Sequence, residues 1–122
     1  MPEAAADSPE QLLETLLRLA FGQGAAGVAT LHAYASPKLR SKLGDLSVFE
    51  RAFGNELYAP LLSSQPVQAD PPLIIGDSAR SELRVKHTGE TAVYQLGMVR
   101  AKGGPQAGRW CVSGVFREGV DL

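Results

Sequence analysis

The chain holds a single cysteine, Cys111, among its 122 residues. That excludes an internal disulfide and any metal site built from several thiolates. Charge of either sign is also in short supply: 12 Lys and Arg against 13 Asp and Glu leave a formal net charge of −1. With no basic excess to neutralise a row of phosphates, no nucleic-acid ligand is expected. Docking on an anionic membrane is disfavoured for the same reason. No apolar run approaches the roughly 20 residues that span a bilayer. The opening MPEAAADSPE lacks a positive stretch followed by an apolar one, so no secretory signal is expected and the default setting is cytoplasmic. The two histidines, His32 and His87, lie far apart. With no Glu/His pair at helical spacing, neither a metal site nor a cofactor is expected.

What is present suits one globular domain. Hydrophobic residues make up 44%, close to the globular average, and either half of the chain alone would be too small to bury a core. The expected organisation is a loose tail over 1–7 and a single α+β domain over 8–122. In its first part, Ser8-Pro9-Glu10-Gln11 reads as a helix start: a capping Ser, Pro at the first helical position and Gln closing a capping box. Leu12, Leu13, Leu16, Leu17 and Ala20 then make one apolar stripe, ended by Gly22 and Gly24. A second helix over 25–35 puts Val28, Leu31, His32 and Ala35 on one face, with small residues that let another element approach closely. Ser36-Pro37 ends it and starts a short helix with Leu39 and Leu43 in step and Gly44 as terminator. Ser47 to Glu50 reads as another capping box, opening a helix that carries Phe49, Ala52, Phe53 and Leu57, with Pro60 as a helix breaker beyond Leu57.

The second half changes period. A strand over 65–69 is interrupted by Asp70-Pro71-Pro72 and resumes at Leu73-Ile74-Ile75. From Arg80 to His87, Leu83, Val85 and His87 alternate with Glu82, Arg84 and Lys86, the pattern of a half-buried strand. Thr88-Gly89-Glu90 is a turn, and the strand over 91–101 sets Ala92, Tyr94, Leu96 and Met98 on one face. Gly103-Gly104-Pro105 to Gly108 is a loop. It lacks the lysine and following helix of a phosphate cradle. In the last strand, 109–117, strict alternation aims Trp110, Val112, Gly114 and Phe116 one way and Cys111, Ser113 and Val115 the other. Phe49, Phe53, Trp110 and Phe116 are therefore expected at the centre of the core. Val93, Val99, Cys111 and Val115 crowd the opposite face with apolar side chains, which predicts a homodimer through the sheet.

Tyr34-Ala35-Ser36-Pro37-Lys38-Leu39-Arg40, Phe49, Tyr58-Ala59-Pro60-Leu61 and Trp110-Cys111-Val112-Ser113-Gly114-Val115, in that order and spacing, resemble the family called domain of unknown function 4864. Helices followed by a curved antiparallel meander are similar to the cone of the wider nuclear transport factor 2-like superfamily. The resemblance covers most of the chain from about Leu12 onward. It implies N-terminal helices packed on a curved antiparallel sheet, and no particular activity, since the superfamily holds isomerases, hydrolases, transport factors and binding modules.

Enzymes of that superfamily commonly aim one or two acids and a tyrosine into the mouth of the cone, where a buried carboxylate takes a proton and a hydroxyl steadies an oxyanion. Here the acids fall in the tail, in turns, at helix starts or on polar strand positions; Asp45 sits where a capping role fits better than catalysis. No carboxylate catalysis is expected. His32 shares a face with Val28 and Ala35, as a base or, more commonly for such a histidine, as a partner of a backbone carbonyl. Tyr34, Tyr58 and Tyr94 either fill the helix–sheet interface or, with His32 and Trp110, bind a small apolar ligand. Cys111 is a packed small hydrophobe rather than a reactive thiol. The leading expectation is a non-enzymatic domain for self-association, small-ligand or protein binding. The alternative is a small cofactor-free isomerase or hydrolase with Tyr34, Tyr58 or His32 in its pocket.

Overall fold

The helices that start at Pro9, Pro37 and Leu46 each begin where a side chain satisfies one of their first free N–H groups. The computed structural model describes residues 6–54, 58–63, 67–87, 89–102 and 107–117. Ser8 caps α1 (Pro9–Leu19) by accepting from the Gln11 N–H at 3.1 Å. The Gln11 side chain returns one residue further than a standard box, to the Asp7 N–H. α2 (Ala25–Ala33) ends before Ala35; the chain there runs beside the last strand instead. Ser36 caps α3 (Pro37–Leu43), accepting from the Leu39 N–H at 3.1 Å.

Two helical expectations need correction. α4 spans Leu46–Phe53, and its cap is Asp45 rather than Ser47. Asp45 accepts from the Val48 N–H at 3.3 Å, and the Ser47 hydroxyl donates to the same carboxylate at 2.6 Å. A carboxylate two residues upstream outcompetes the hydroxyl because it is the stronger acceptor and favours the positive end of the helix. Pro60 does not break a helix; it sits in the first turn of α5 (Ala59–Ser63), where the N–H that proline lacks would have no helical partner. Leu57, the expected end of α4, lies outside the described residues, as do Glu56, Thr88, the loop at 103–106 and the first five residues of the tail. Ala6 and Asp7 are not loose: Ala6 is buried and its carbonyl accepts from the Trp110 N–H at 2.8 Å, while Asp7 pairs with Arg109.

Among the described residues, five helices lie against a curved antiparallel sheet. Its strands are β1 (Val67–Ala69), β2 (Leu73–Ile75), β3 (Ser78–His87), β4 (Glu90–Arg100) and β5 (Trp110–Arg117), joined in the order β1-β3-β4-β5, with β2 sharing the outer edge of β3 beside β1. The fold is α+β. The inward face carries Leu83 and Val85 of β3, and Ala92, Tyr94, Leu96 and Met98 of β4, all buried as alternation predicts. They join Leu12, Leu16, Phe21, Leu31, Phe49, Phe53 and Leu61 in one core.

Alternation fails in β5. Met98 pairs with Val112 but Gly97 pairs with Gly114, so Ser113 is an extra residue. Such a bulge reverses the sidedness of everything beyond it. Trp110 and Val112 point inward, and so does Val115, which is buried opposite Leu96. Phe116 turns outward and is 60% exposed. Phe116 is thus removed from the expected core quartet, and Val115 from the expected outer face. The two facing glycines make room for the bulge: a Cβ on Gly97 would lie 2.6 Å from the Ser113 hydroxyl, and one on Gly114 would lie 2.8 Å from the Phe116 ring.

Ser81 is the odd residue on the inward face. It stands between Ala79 and Leu83, opposite Leu96, and its buried hydroxyl has no hydrogen-bond partner among the described residues. A buried unpaired hydroxyl destabilises the fold. Ser81→Ala should therefore raise stability by about 1 kcal/mol. A loss of about 1 kcal/mol in urea denaturation would show that the hydroxyl is satisfied.

Candidate functional site

The inside of the sheet gathers part of the expected ligand-binding set. α2 places His32 against Phe49 of α4, edge to face, with ring centroids 4.9 Å apart. Phe49 leads to Phe53 at 6.1 Å, Phe53 to Tyr58 at 4.8 Å, and Tyr58 stacks on Tyr94 at 6.1 Å. The Arg117 guanidinium closes the row over the Tyr94 ring. His32, Tyr58 and Tyr94 are thus linked through two phenylalanines. Tyr34 and Trp110 are not in this row. Tyr34 lies partly buried beside β5, its carbonyl accepting from the Val112 N–H, and buried Trp110 at the start of β5 carries Arg100 over its ring.

Within the row the rings lie against one another. Tyr94 is fully buried, and the Tyr58 hydroxyl donates to the Val115 carbonyl at 2.8 Å. Burial pushes the Tyr58 phenol above its ordinary range. Burial does the same to Tyr94, partly offset by the Arg117 charge. Both rings are held in the neutral form, the opposite of what a tyrosine base needs. Two acids move the other way. The Ser47 hydroxyl and Val48 N–H hold Asp45 below the usual carboxylate range, and the Arg84 hydrogen bond does so for Asp70. Asp45 and Asp70 therefore stay ionised at neutral pH. Among the described residues, no group of three or more His, Cys, Asp and Glu side chains is placed to hold a metal ion.

The outward face differs. Leu73 and Ile75 pair with Arg80 and Ser78, and so stand on the same side as Glu82 and Arg84. They are 57% and 68% exposed. Phe116, aimed outward by the bulge, lies over Gly114 on that side. Val93 and Val99 are half-buried between these points. Cys111, expected to be free for an interface, is already buried, and burial raises its thiol above the ordinary range although Arg40 counters it. The outward apolar set is therefore exposed Leu73, Ile75 and Phe116, with half-buried Val93 and Val99 between them.

The strand at Leu73-Ile74-Ile75 and the outward side of Val93 and Val99 agree with the sequence, whereas sequence reasoning assigned Leu73 and Ile75 to neither side and placed Phe116 in the core. A signal for β2 was present: Gly76-Asp77 between Ile75 and Ser78 is a two-residue hairpin turn. Nothing in the alternation of β5 announces the extra residue at Ser113; only the glycines facing it do. No family model, curated protein or solved structure matches the chain.

Proposed function

We propose that this protein is a non-enzymatic association domain that works through the outside of its sheet, as a homodimer, rather than through a pocket inside it. One observation carries the reading. The large apolar residues that β3 and β4 turn inward are buried, whereas Leu73, Ile75 and Phe116 on the outward face are more than half exposed. An exposed apolar set flanked by charge marks an interaction surface. Arg80 and Lys86 are exposed on β3, and Arg84 is paired to Asp70 and Glu82.

The alternative of a small isomerase or hydrolase needs a free hydroxyl or an acid lifted toward neutrality. The Tyr58 hydroxyl is committed to Val115, and the two acids with a resolved direction move down. A small apolar ligand beside His32, Tyr58 and Tyr94 would have to part rings already in contact. The cone fold of the nuclear transport factor 2-like superfamily remains our proposal for its relationship, supported by the order of helices and meander. No described helix is long and apolar enough to cross a membrane.

Sedimentation velocity tests the reading. A dimer should form as concentration rises from about 10 μM to about 500 μM, the range of a modest interface. A single monomeric species throughout would overturn it.

A further inference from the structure

We infer that two copies join edge to edge through β2, pairing antiparallel about a two-fold axis at Ile74, so that two five-stranded sheets become one continuous sheet. This rests on the association reading above and names the surface and partner it uses.

The two margins of the sheet are treated differently. The free margin of β5 is covered by its own chain: the Ala6 carbonyl takes the Trp110 N–H, Tyr34 and Ser36 bracket Val112, and the Tyr58 hydroxyl takes the Val115 carbonyl. The opposite margin is made of β1 and β2 side by side; Val67 and Ala69 of β1 are half-buried, whereas the three residues of β2, Leu73, Ile74 and Ile75, are 57%, 44% and 68% exposed. An exposed apolar edge strand offers unpaired backbone groups as well as side chains, and so invites another strand.

The ladder shows which groups face out. The Arg100 N–H donates to the Asp77 carbonyl at 2.9 Å, so Asp77 turns its backbone toward β4. Its neighbour Ser78 therefore turns toward β2, as does Arg80, and Glu82 turns to the same margin, where its carbonyl accepts from the Asp70 N–H at 3.0 Å. Leu73 and Ile75, paired with Arg80 and Ser78, spend their backbone groups on β3. The Ile74 N–H and C=O face outward. In an antiparallel pair, two facing residues exchange both bonds. Ile74 opposite Ile74 of a second copy meets that need with two hydrogen bonds.

The same register sets Leu73 opposite Ile75 of the second copy, and the reverse, giving an apolar ribbon on the outward face. Pairing stops at Pro72, which has no N–H, and at Gly76, whose positive φ of 61° opens the turn into β3. The acids at the ends of this short ladder carry their own counter-charges: Asp70 pairs with Arg84 at 2.8 Å and Asp77 with Arg100 at 2.6 Å. Like charges therefore do not oppose the approach. With one margin open and the other covered, pairing closes at two copies instead of growing into a filament.

The test uses the full chain in sedimentation velocity, with Ile74→Lys and Phe116→Lys compared with the wild type. Ile74→Lys sets two ammonium groups face to face on the axis and should weaken the dimer at least about tenfold. Phe116→Lys should leave it within about threefold. In a Cys111→Ser background, Ile74→Cys should form a covalent dimer on mild oxidation, since facing hydrogen-bonded residues lie about 5.5 Å apart, within disulfide reach. A dimer that survives Ile74→Lys but not Phe116→Lys overturns edge pairing and leaves the association reading standing. A wild type that stays monomeric removes the association reading itself. Species larger than two would overturn the closure.

Discussion

Phe53→Ala should lose roughly 3–5 kcal/mol of folding stability, the cost of emptying a well-packed aromatic site. Phe53 is buried on α4, where it lies between Phe49 and Tyr58. Tyr58 in turn stacks on Tyr94 and anchors the margin of β5 through Val115. Removing the ring opens a cavity between helix and sheet that its neighbours cannot fill, because Tyr58 is held by its hydrogen bond. Phe116→Ala makes the contrast: that ring is 60% exposed, so the loss should stay within about 0.5 kcal/mol, as for surface substitutions. Urea denaturation of both variants checks the pair. Less than about 1 kcal/mol for Phe53→Ala would mean that the aromatic row does not hold α4 to the sheet.

Gly27→Ala should cost about 3 kcal/mol, although alanine is the better helix former by about 1 kcal/mol. A Cβ at Gly27 would lie 2.0 Å from the Ala20 carbonyl oxygen and 2.9 Å from its carbon. These are backbone atoms and cannot rotate away. The segment is also pinned: Thr30 donates to the Leu19 carbonyl at 3.0 Å, and the Gly22 and Gly24 N–H groups donate to Leu61 and Leu62. Relief therefore requires α1 and α2 to part. A gain in stability on thermal denaturation would show that helix propensity wins and that the helices are not in such close contact.

The helices were legible wherever a cap is a local matter. Ser8-Pro9 and Ser36-Pro37 each announce a helix within four residues, and both caps form. At α4 two candidates lay two residues apart, and the choice of Asp45 turned on acceptor strength rather than spacing. The small residues of α2 signalled a close approach, which Gly27 makes against Ala20. In the sheet, β4 read correctly because its alternation is unbroken over the strand. β5 read correctly only as far as Val112, because the bulge at Ser113 is a property of pairing with Gly97 and not of β5 alone. That error moved Phe116 and Val115 to the wrong sides and hid the outward apolar set. The row from His32 to Tyr94 depends on how α2, α4 and the sheet meet, which no single stretch of sequence encodes.

The claim that this domain works from the outside of its sheet is tested most directly by amide NMR spectra of the wild-type chain at rising concentration, from about 20 μM to about 1 mM. Shifts that grow with concentration are expected at Leu73, Ile74 and Ile75, with Phe116, His32, Tyr58 and Tyr94 unmoved. A spectrum unchanged across that range, or shifts confined to the helical side of the sheet, would contradict the account.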